Sequence, residues 1–203
     1  MADQDTISVY DDQIEAYANM ITDEKPGAHH KEFMASLPEG GYLLDLGCGP
    51  GNSSAIFHKA GFKVDAVDAS SEMVNHARQV YEIDARLGTF DELTKENIYD
   101  GVWASFSLLH AARKDFQRHL LQIQKSLKPG GSFYIGMKLG NSEKRDRLGR
   151  FYSYYEKPEL LDYLSAAGFK SYWIKEGEEK GLAGDIAPWI MVLSSALTAK
   201  SSD

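Results

Sequence analysis

A run of branched apolar residues that stops on three alternating glycines constrains this chain more than anything else in it. In LLDLGCGPG, residues 43–51, the glycines stand at 47, 49 and 51, and Asp45 lies two positions ahead of the first. Glycine lacks the Cβ that bars positive φ. Such a strand end therefore turns very tightly or lets another group lie against the backbone. A buried strand, a tight turn and a helix-like run after it form the first unit of an α/β sheet.

The rest of the chain repeats that alternation. SSAIFHKAG reads as a short helix closed by Gly61, FKVDAVDA as a strand, and Ser71 to about Tyr81 as a helix capped by Ser70, with Glu72 at its positive end. DARLGTF and YDGVWASF are a third and a fourth strand. In DFQRHLLQIQKSLKPGG, Phe116, Leu120, Ile123 and Leu127 fall on one helical face, and Pro129-Gly130-Gly131 is expected to end the helix. GSFYIGMK is a fifth strand, and a helix follows from Pro158 to Ala167, stopped by Gly168. SYWIKEGEE and PWIMVLSSA are strands with no room for a crossover, so they should pair as an antiparallel hairpin. Strands alternating with helices through short loops argue for a mostly parallel, doubly wound sheet covered on both faces. Ligands in such sheets bind beyond the carboxyl ends of the strands, where strand 43–46 leads. The N-terminal 40 residues carry a helix expected around Asp11–Ile21, interrupted by the Pro-Gly turn of KPGAHH.

With 203 residues the chain is expected to form one domain: a helical segment over 1–40, an α/β core over 41–197 and a tail over 198–203. A net charge of −8 disfavours a broad nucleic-acid surface. The polar, acidic start is no secretory signal, and no apolar run reaches the ~20 residues of a membrane helix. Cys48 is the lone cysteine, which excludes an intrachain disulfide and points to a reducing, cytoplasmic setting.

Two ligand classes compete for the glycine turn. A dinucleotide fingerprint, G-x-G-x-x-G, needs a third glycine at position 52, which is Asn52. Asp45 would repel a pyrophosphate and attract an ammonium group. LLDLGCGPG resembles motif I of the class I S-adenosylmethionine-dependent methyltransferases. VDAVDAS resembles their second motif, with Asp68 ending a strand, and KSLKPGGSFYI their late helix-to-strand segment. The resemblance spans Tyr42 to Phe169 and is nearest to small bacterial, tellurite-resistance-like members. It implies a Rossmann-like seven-stranded sheet with a C-terminal antiparallel hairpin, and S-adenosylmethionine as cofactor with S-adenosylhomocysteine as product. It also implies Gly47, Cys48, Gly49 and Asn52 along the homocysteine part and Asp45 toward its ammonium. Asp68 would meet the ribose diol, Thr89 and Phe90 one side of the adenine, and Ala69 and Met73 the other. Ser105 and Phe106 would lie beside the methionine part. On their own terms Cys48 reads as a small packing residue, and Asp68, 21 residues after Gly47, as an acid at ribose-capping spacing, with a helix cap or surface acid as the alternative.

Methyl transfer from a sulfonium needs alignment and water exclusion, and a base only where the acceptor holds its proton tightly. His110, in FSLLHAAR, stands where a base would sit. His29 and His30 are expected in a loop, with no Cys or further His at ligand spacing, so no metal is expected. Tyr10 and Tyr17, seven apart, share one face if helical, as a lid or as a helix covering the sheet. KLGNSEKRDRLGRFYSYY offers Arg145, Arg150 and Tyr152 to an anionic acceptor, unless Glu143 and Asp146 already hold the arginines. A small-molecule acceptor is the first reading, RNA (tRNA) the second, and a non-catalytic, cofactor-binding regulatory protein the third. No motif encodes the acceptor's identity or the oligomeric state.

Overall fold

In the computed structural model, which describes residues 3–20 and 25–197, the chain opens with three helices, α1 (Gln4–Asp12), α2 (Ile14–Met20) and α3 (Ala28–Ala35). Then come β1 (Tyr42–Leu46), α4 (Asn52–Lys59), β2 (Lys63–Asp68), α5 (Ser71–Tyr81), β3 (Ala85–Leu87) and β4 (Tyr99–Ser105). The remainder is α6 (Arg113–Ser126), β5 (Leu127–Lys138), β6 (Glu143–Arg145), β7 (Phe151–Ser153), α7 (Lys157–Ala166), β8 (Phe169–Lys180) and β9 (Ile186–Ala196). Seven strands form one sheet in the order β3-β2-β1-β4-β5-β9-β8. The first five are parallel, and β9 runs antiparallel to both β5 and β8, as the missing crossover requires.

Alternation along the strands sorts the core onto two faces. Leu43 packs with Phe33, Phe57, Trp103, Tyr134 and Leu193 on the face covered by α3 and α4. Leu44, Leu46, Val102, Ala104, Phe133 and Ile135 point the other way, onto Phe116, Leu120 and Ile123 of α6 and Leu160 and Leu164 of α7. Each such buried side chain contributes roughly 1.5–3 kcal/mol of apolar transfer. Ser70 caps α5 by accepting from the Met73 N–H, as its place before the helix indicates. β1 has β2 on one side and β4 on the other, so the strand order reverses at its carboxyl end.

Four expectations are corrected. The N-terminal helix begins at Gln4 and breaks at Gln13, where Asp11 and Asp12 put two carboxylates at the negative end of α1. Ile21 lies outside the described residues, as does the tail 198–203. His29 and His30 lie on α3, started by Gly27, rather than in a loop. The Pro-Gly-Gly run does not simply end α6. The helix stops at Ser126, whose hydroxyl donates to the Ile123 carbonyl, and β5 already begins at Leu127, opposite Tyr99. The register shifts past Pro129 and Gly130, and pairing resumes at Gly101 and Ser132. The segment after β5, read as a loop, folds into the hairpin β6–β7, with Glu143 opposite Ser153 and Arg145 opposite Phe151. No helix among the described residues is long and apolar enough to cross a membrane.

Candidate active site

The glycine turn is shaped by its neighbours. Gly47 (φ +80°) approaches the turn after β4 so closely that a Cβ there would lie 2.3 Å from the Ser107 Cβ. The Ser107 hydroxyl donates to the Leu46 carbonyl at 2.5 Å, locking the ends of β1 and β4 together. The N–H groups of Gly47 and Cys48 both donate to the Val67 carbonyl, at 2.8 and 2.9 Å, which folds the turn over β2. Asp68, the last residue of β2, then accepts from the Gly49 N–H at 2.8 Å through one oxygen and from the Ser70 N–H at 2.9 Å through the other. Burial pushes its carboxyl above the usual range, while those N–H bonds act the other way. Each oxygen keeps a further lone pair for a ligand hydroxyl.

Gly47, Gly49, Asp68, Ala69, Met73, Thr89, Phe90, Ser105 and Phe106 line one cavity of about 110 Å³. All but Met73, on the first turn of α5, come from the ends of β1, β2, β3 and β4, which sequence alone placed at one sheet edge. Phe106 adopts φ +54°, left-handed for a bulky side chain, and its N–H donates to the Gly136 carbonyl at 3.0 Å. Such backbone costs of order 1–3 kcal/mol and clusters at functional sites.

Asp45, Cys48 and Asn52 are placed otherwise. They line an adjoining cavity of about 420 Å³ and not the first one. Asp45 shares its sheet face with Leu43, toward α4, where its carboxylate accepts from the Ser54 hydroxyl at 2.6 Å. Burial pushes its pKa up to about 7, so it is not the standing negative charge expected of it. The Asn52 amide donates to the Tyr81 hydroxyl at 3.0 Å. Cys48 is buried among Ala66, Val74 and Ala77, its thiol pKa raised, as a packing residue.

The two cavities meet. Tyr10, Tyr17, Gly47, Gly49, Ser105 and Phe106 line both, so they are two lobes of one cleft. Over the junction lie α1 and α2, with the Tyr10 and Tyr17 rings edge to face at 5.3 Å. His110, beyond β4, has its Nδ1 2.6 Å from the Phe151 carbonyl, which can only accept, so Nδ1 carries the proton. Burial draws its pKa down to about 4. The neutral ring then accepts the Tyr10 O–H at Nε2, 2.8 Å away.

The arginines of the β6–β7 hairpin are committed. Arg150, 2% exposed, donates through Nε and Nη2 to Asp146 (3.0 and 2.7 Å) and through Nη1 to the Tyr10 hydroxyl (3.1 Å). Arg145 lines neither lobe and pairs with Asp3 and Asp5 at the start of α1. Its expected place at the acceptor is corrected: it fastens α1 to the hairpin. Tyr152 is buried against His110, ring centroids 4.6 Å apart, and lines the larger lobe. His30 donates or accepts at Ser53, 3.2 Å away, and among the described residues no group of three His, Cys, Asp or Glu side chains is arranged for a metal ion.

A family model described as a methyltransferase domain matches residues 43–131. Over 136 residues the chain is 35% identical to a cypemycin N-terminal methyltransferase from Streptomyces sp., covering 63% of this chain and 56% of that protein. Over 146 residues it is 30% identical to a 2-methyl-6-phytyl-1,4-hydroquinone methyltransferase from Synechocystis sp., covering 67% of this chain and 44% of that one. The chain thus spans about half the length of these relatives. Residues 43–131 thus match a methyltransferase domain, and the family the chain is similar to is that of the class I S-adenosylmethionine-dependent methyltransferases. The chain's fold agrees: the Burkholderia thailandensis 1,6-didemethyltoxoflavin-N1-methyltransferase, solved with 1,6-didemethyltoxoflavin and S-adenosylhomocysteine, superposes with a TM-score of 0.71 at 24% identity, covering 98% of this chain and 92% of that chain.

The residues present fit the cofactor of that methyltransferase family. A Cβ on Gly49 would fill space toward the Tyr17 ring, 3.7 Å away, and Asp68 offers two acceptor sites beside it. Met73 and Phe90 give apolar walls to the smaller lobe. Ser70, Ser107 and His119 also line that lobe and escaped sequence reasoning. His119 carried a signal, lying one helical turn from both Phe116 and Ile123 on the inner face of α6.

Proposed function

We propose that the chain transfers a methyl group from S-adenosylmethionine to a small-molecule acceptor, the smaller lobe taking the adenosine end and the larger lobe the acceptor. The observation that carries this reading is the convergence on one lobe of Asp68, the two glycines and Phe90 from three strand ends, with Met73 from the first turn of α5. When bound, the cofactor supplies a methyl group on a positively charged sulfur with a ready leaving group. The chain's part is to align and to keep water out. Asp68 orients the ribose diol. Gly47 and Gly49 let the backbone lie against the homocysteine part. Ser105 and Phe106, at the junction, set where the methyl group points into the larger lobe. Tyr10 and Tyr17 close the junction from above.

His110 is proposed as a positioning residue. With its pKa drawn down to about 4 it is a poor proton acceptor at neutral pH, and the best general bases lie near the working pH. Held by the Phe151 carbonyl, it fixes the Tyr10 hydroxyl from one side while Arg150 fixes it from the other. Asp45 is proposed to face the ammonium side of the cleft as a carboxyl that ionises near neutrality. Residues 1–40 are proposed as a lid on a single domain whose core spans 41–197, working in the cytoplasm. The tellurite-resistance-like subtype is retained only as a sequence resemblance.

The small-molecule reading is supported by relatives named for a hydroquinone and for a toxoflavin precursor, and by a net charge of −8, which disfavours RNA. The test is turnover of labelled S-adenosylmethionine against pooled small metabolites and against pooled tRNA. Label in the metabolite pool supports the reading. Label in tRNA alone replaces it with the RNA reading, and cofactor binding with no transfer to either replaces it with a regulatory protein.

A further inference from the structure

The cations near the acceptor lobe differ in whether their charge is already matched. Arg150 is held by Asp146, and Arg147 by Asp185. Lys138 differs. It ends β5, is half-buried, lines the acceptor lobe and has no carboxylate within ion-pair distance among the described residues. Its ammonium rests 4.6 Å over the Tyr152 ring. Every element around the lobe contributes to the charge it meets. Asp45 of β1 is bound to Ser54, and His30 of α3 is held neutral by burial with its pKa near 3, beside His29. Glu179 and Lys180, of opposite charge at the end of β8, also line the lobe and are exposed to solvent. Asp146 and Asp185, whose fields reach Lys138, are the carboxylates that Arg150 and Arg147 occupy. The lobe thus holds one half-buried positive charge satisfied only by a ring face.

The strand register says what lies beside it. Lys138 stands directly opposite Trp189 in the antiparallel β5–β9 pair, so the two side chains share a face. The Trp189 indole lies flat on the β8 backbone, where a Cβ on Gly177 would come within 2.4 Å of it. Tyr17, His29, Phe106 and Met191 line the rest of the lobe. A pocket of rings with one ammonium at its edge suits a flat apolar body with one anionic substituent.

We propose that Lys138 binds a carboxylate or phosphate on the methyl acceptor, with the acceptor's flat apolar body laid against Trp189 and Tyr152. This assigns to Lys138, rather than to Arg150 or Arg145, the selection of acceptor charge. It rests on the reading of the larger lobe as the acceptor site.

The test uses matched probes. Wild-type protein is first titrated with S-adenosylhomocysteine by calorimetry, then, saturated with it, with 2-naphthoate and with its uncharged counterpart 2-naphthamide, and likewise with benzoate and benzamide. At least one carboxylate should bind about 10–100-fold more tightly than its amide, the scale of a charge-assisted hydrogen bond. Lys138→Met should abolish that preference with S-adenosylhomocysteine affinity unchanged, and Lys138→Arg should keep it. Equal affinity within both pairs, no binding of any probe, or a preference surviving in Lys138→Met would overturn the proposal. Failure of S-adenosylhomocysteine to bind the wild type would overturn the methyltransferase reading itself, and the first titration shows which has failed.

Discussion

Asp68 is where the fold and the proposed ligand compete for the same atoms, so its replacement separates the two contributions. Its oxygens hold the N–H groups of Gly49 and Ser70 at 2.8 and 2.9 Å. In Asp68→Ala both donors lose their partner. Each buried donor left unpaired costs about 1–3 kcal/mol, and the open cleft lets water reach them, so about 1–2 kcal/mol in total is expected. For a chain of 203 residues that lowers Tm by about 2–8 °C, leaving the protein folded at 25 °C. The ligand term is larger. A ribose diol loses its hydrogen bonds to a charged acceptor, about 1.5–3 kcal/mol, which weakens S-adenosylhomocysteine binding roughly 10- to 100-fold. Asp68→Asn keeps one acceptor oxygen but turns an N–H₂ toward the second donor. It should recover part of the Tm loss and little of the affinity. Calorimetric titration, with circular dichroism melting as the control, measures both. An unchanged Kd in a folded Asp68→Ala protein would remove Asp68 from the ligand site.

Gly47→Ala should destabilise the fold by about 3 kcal/mol or more, since it adds a Cβ 2.3 Å from Ser107 at a φ of +80°; thermal melting measures this, and a near-normal Tm would show that the turn yields. Arg150→Met should cost about 3 kcal/mol by stranding the nearly buried Asp146, visible in urea unfolding, and its simultaneous replacement with Asp146→Leu should restore much of the loss. The folded pKa of His110, near 4, lies below the unfolded value of 6.5, so between those limits only the unfolded state takes up the proton. Relative to His110→Asn, the wild type should therefore lose stability as pH falls from about 6.5 to 4, by up to roughly 3 kcal/mol; parallel stability curves for the two proteins would show that His110 is not buried neutral.

The sheet was readable because its signals are local. Apolar runs, helix periodicity, Ser70 before α5 and the missing crossover before the final strand each act within a few residues. The smaller lobe was readable because its residues sit at strand ends, which a parallel sheet gathers at one edge. Asp45 was misplaced although the strand's period of two already set it beside Leu43 and away from Leu46. The larger lobe was misread for another reason. Which arginine is matched depends on Asp3 meeting Arg145 across 142 residues, and on Asp146 returning to Arg150 within a hairpin that looked like a loop. Lys138 drew no notice because a lysine at a strand end is ordinary until Asp146 and Asp185, the carboxylates whose fields reach it, are found paired with arginines.

Calorimetric titration of the protein with S-adenosylhomocysteine and, separately, with NAD tests the central claim most directly. The G-x-G-x-G turn, with Asp68 at the neighbouring strand end, predicts binding of S-adenosylhomocysteine with one site per chain and NAD binding at least 10-fold weaker, since the place of the dinucleotide fingerprint's last glycine is taken by Asn52. Saturable NAD binding with no heat from S-adenosylhomocysteine would contradict it.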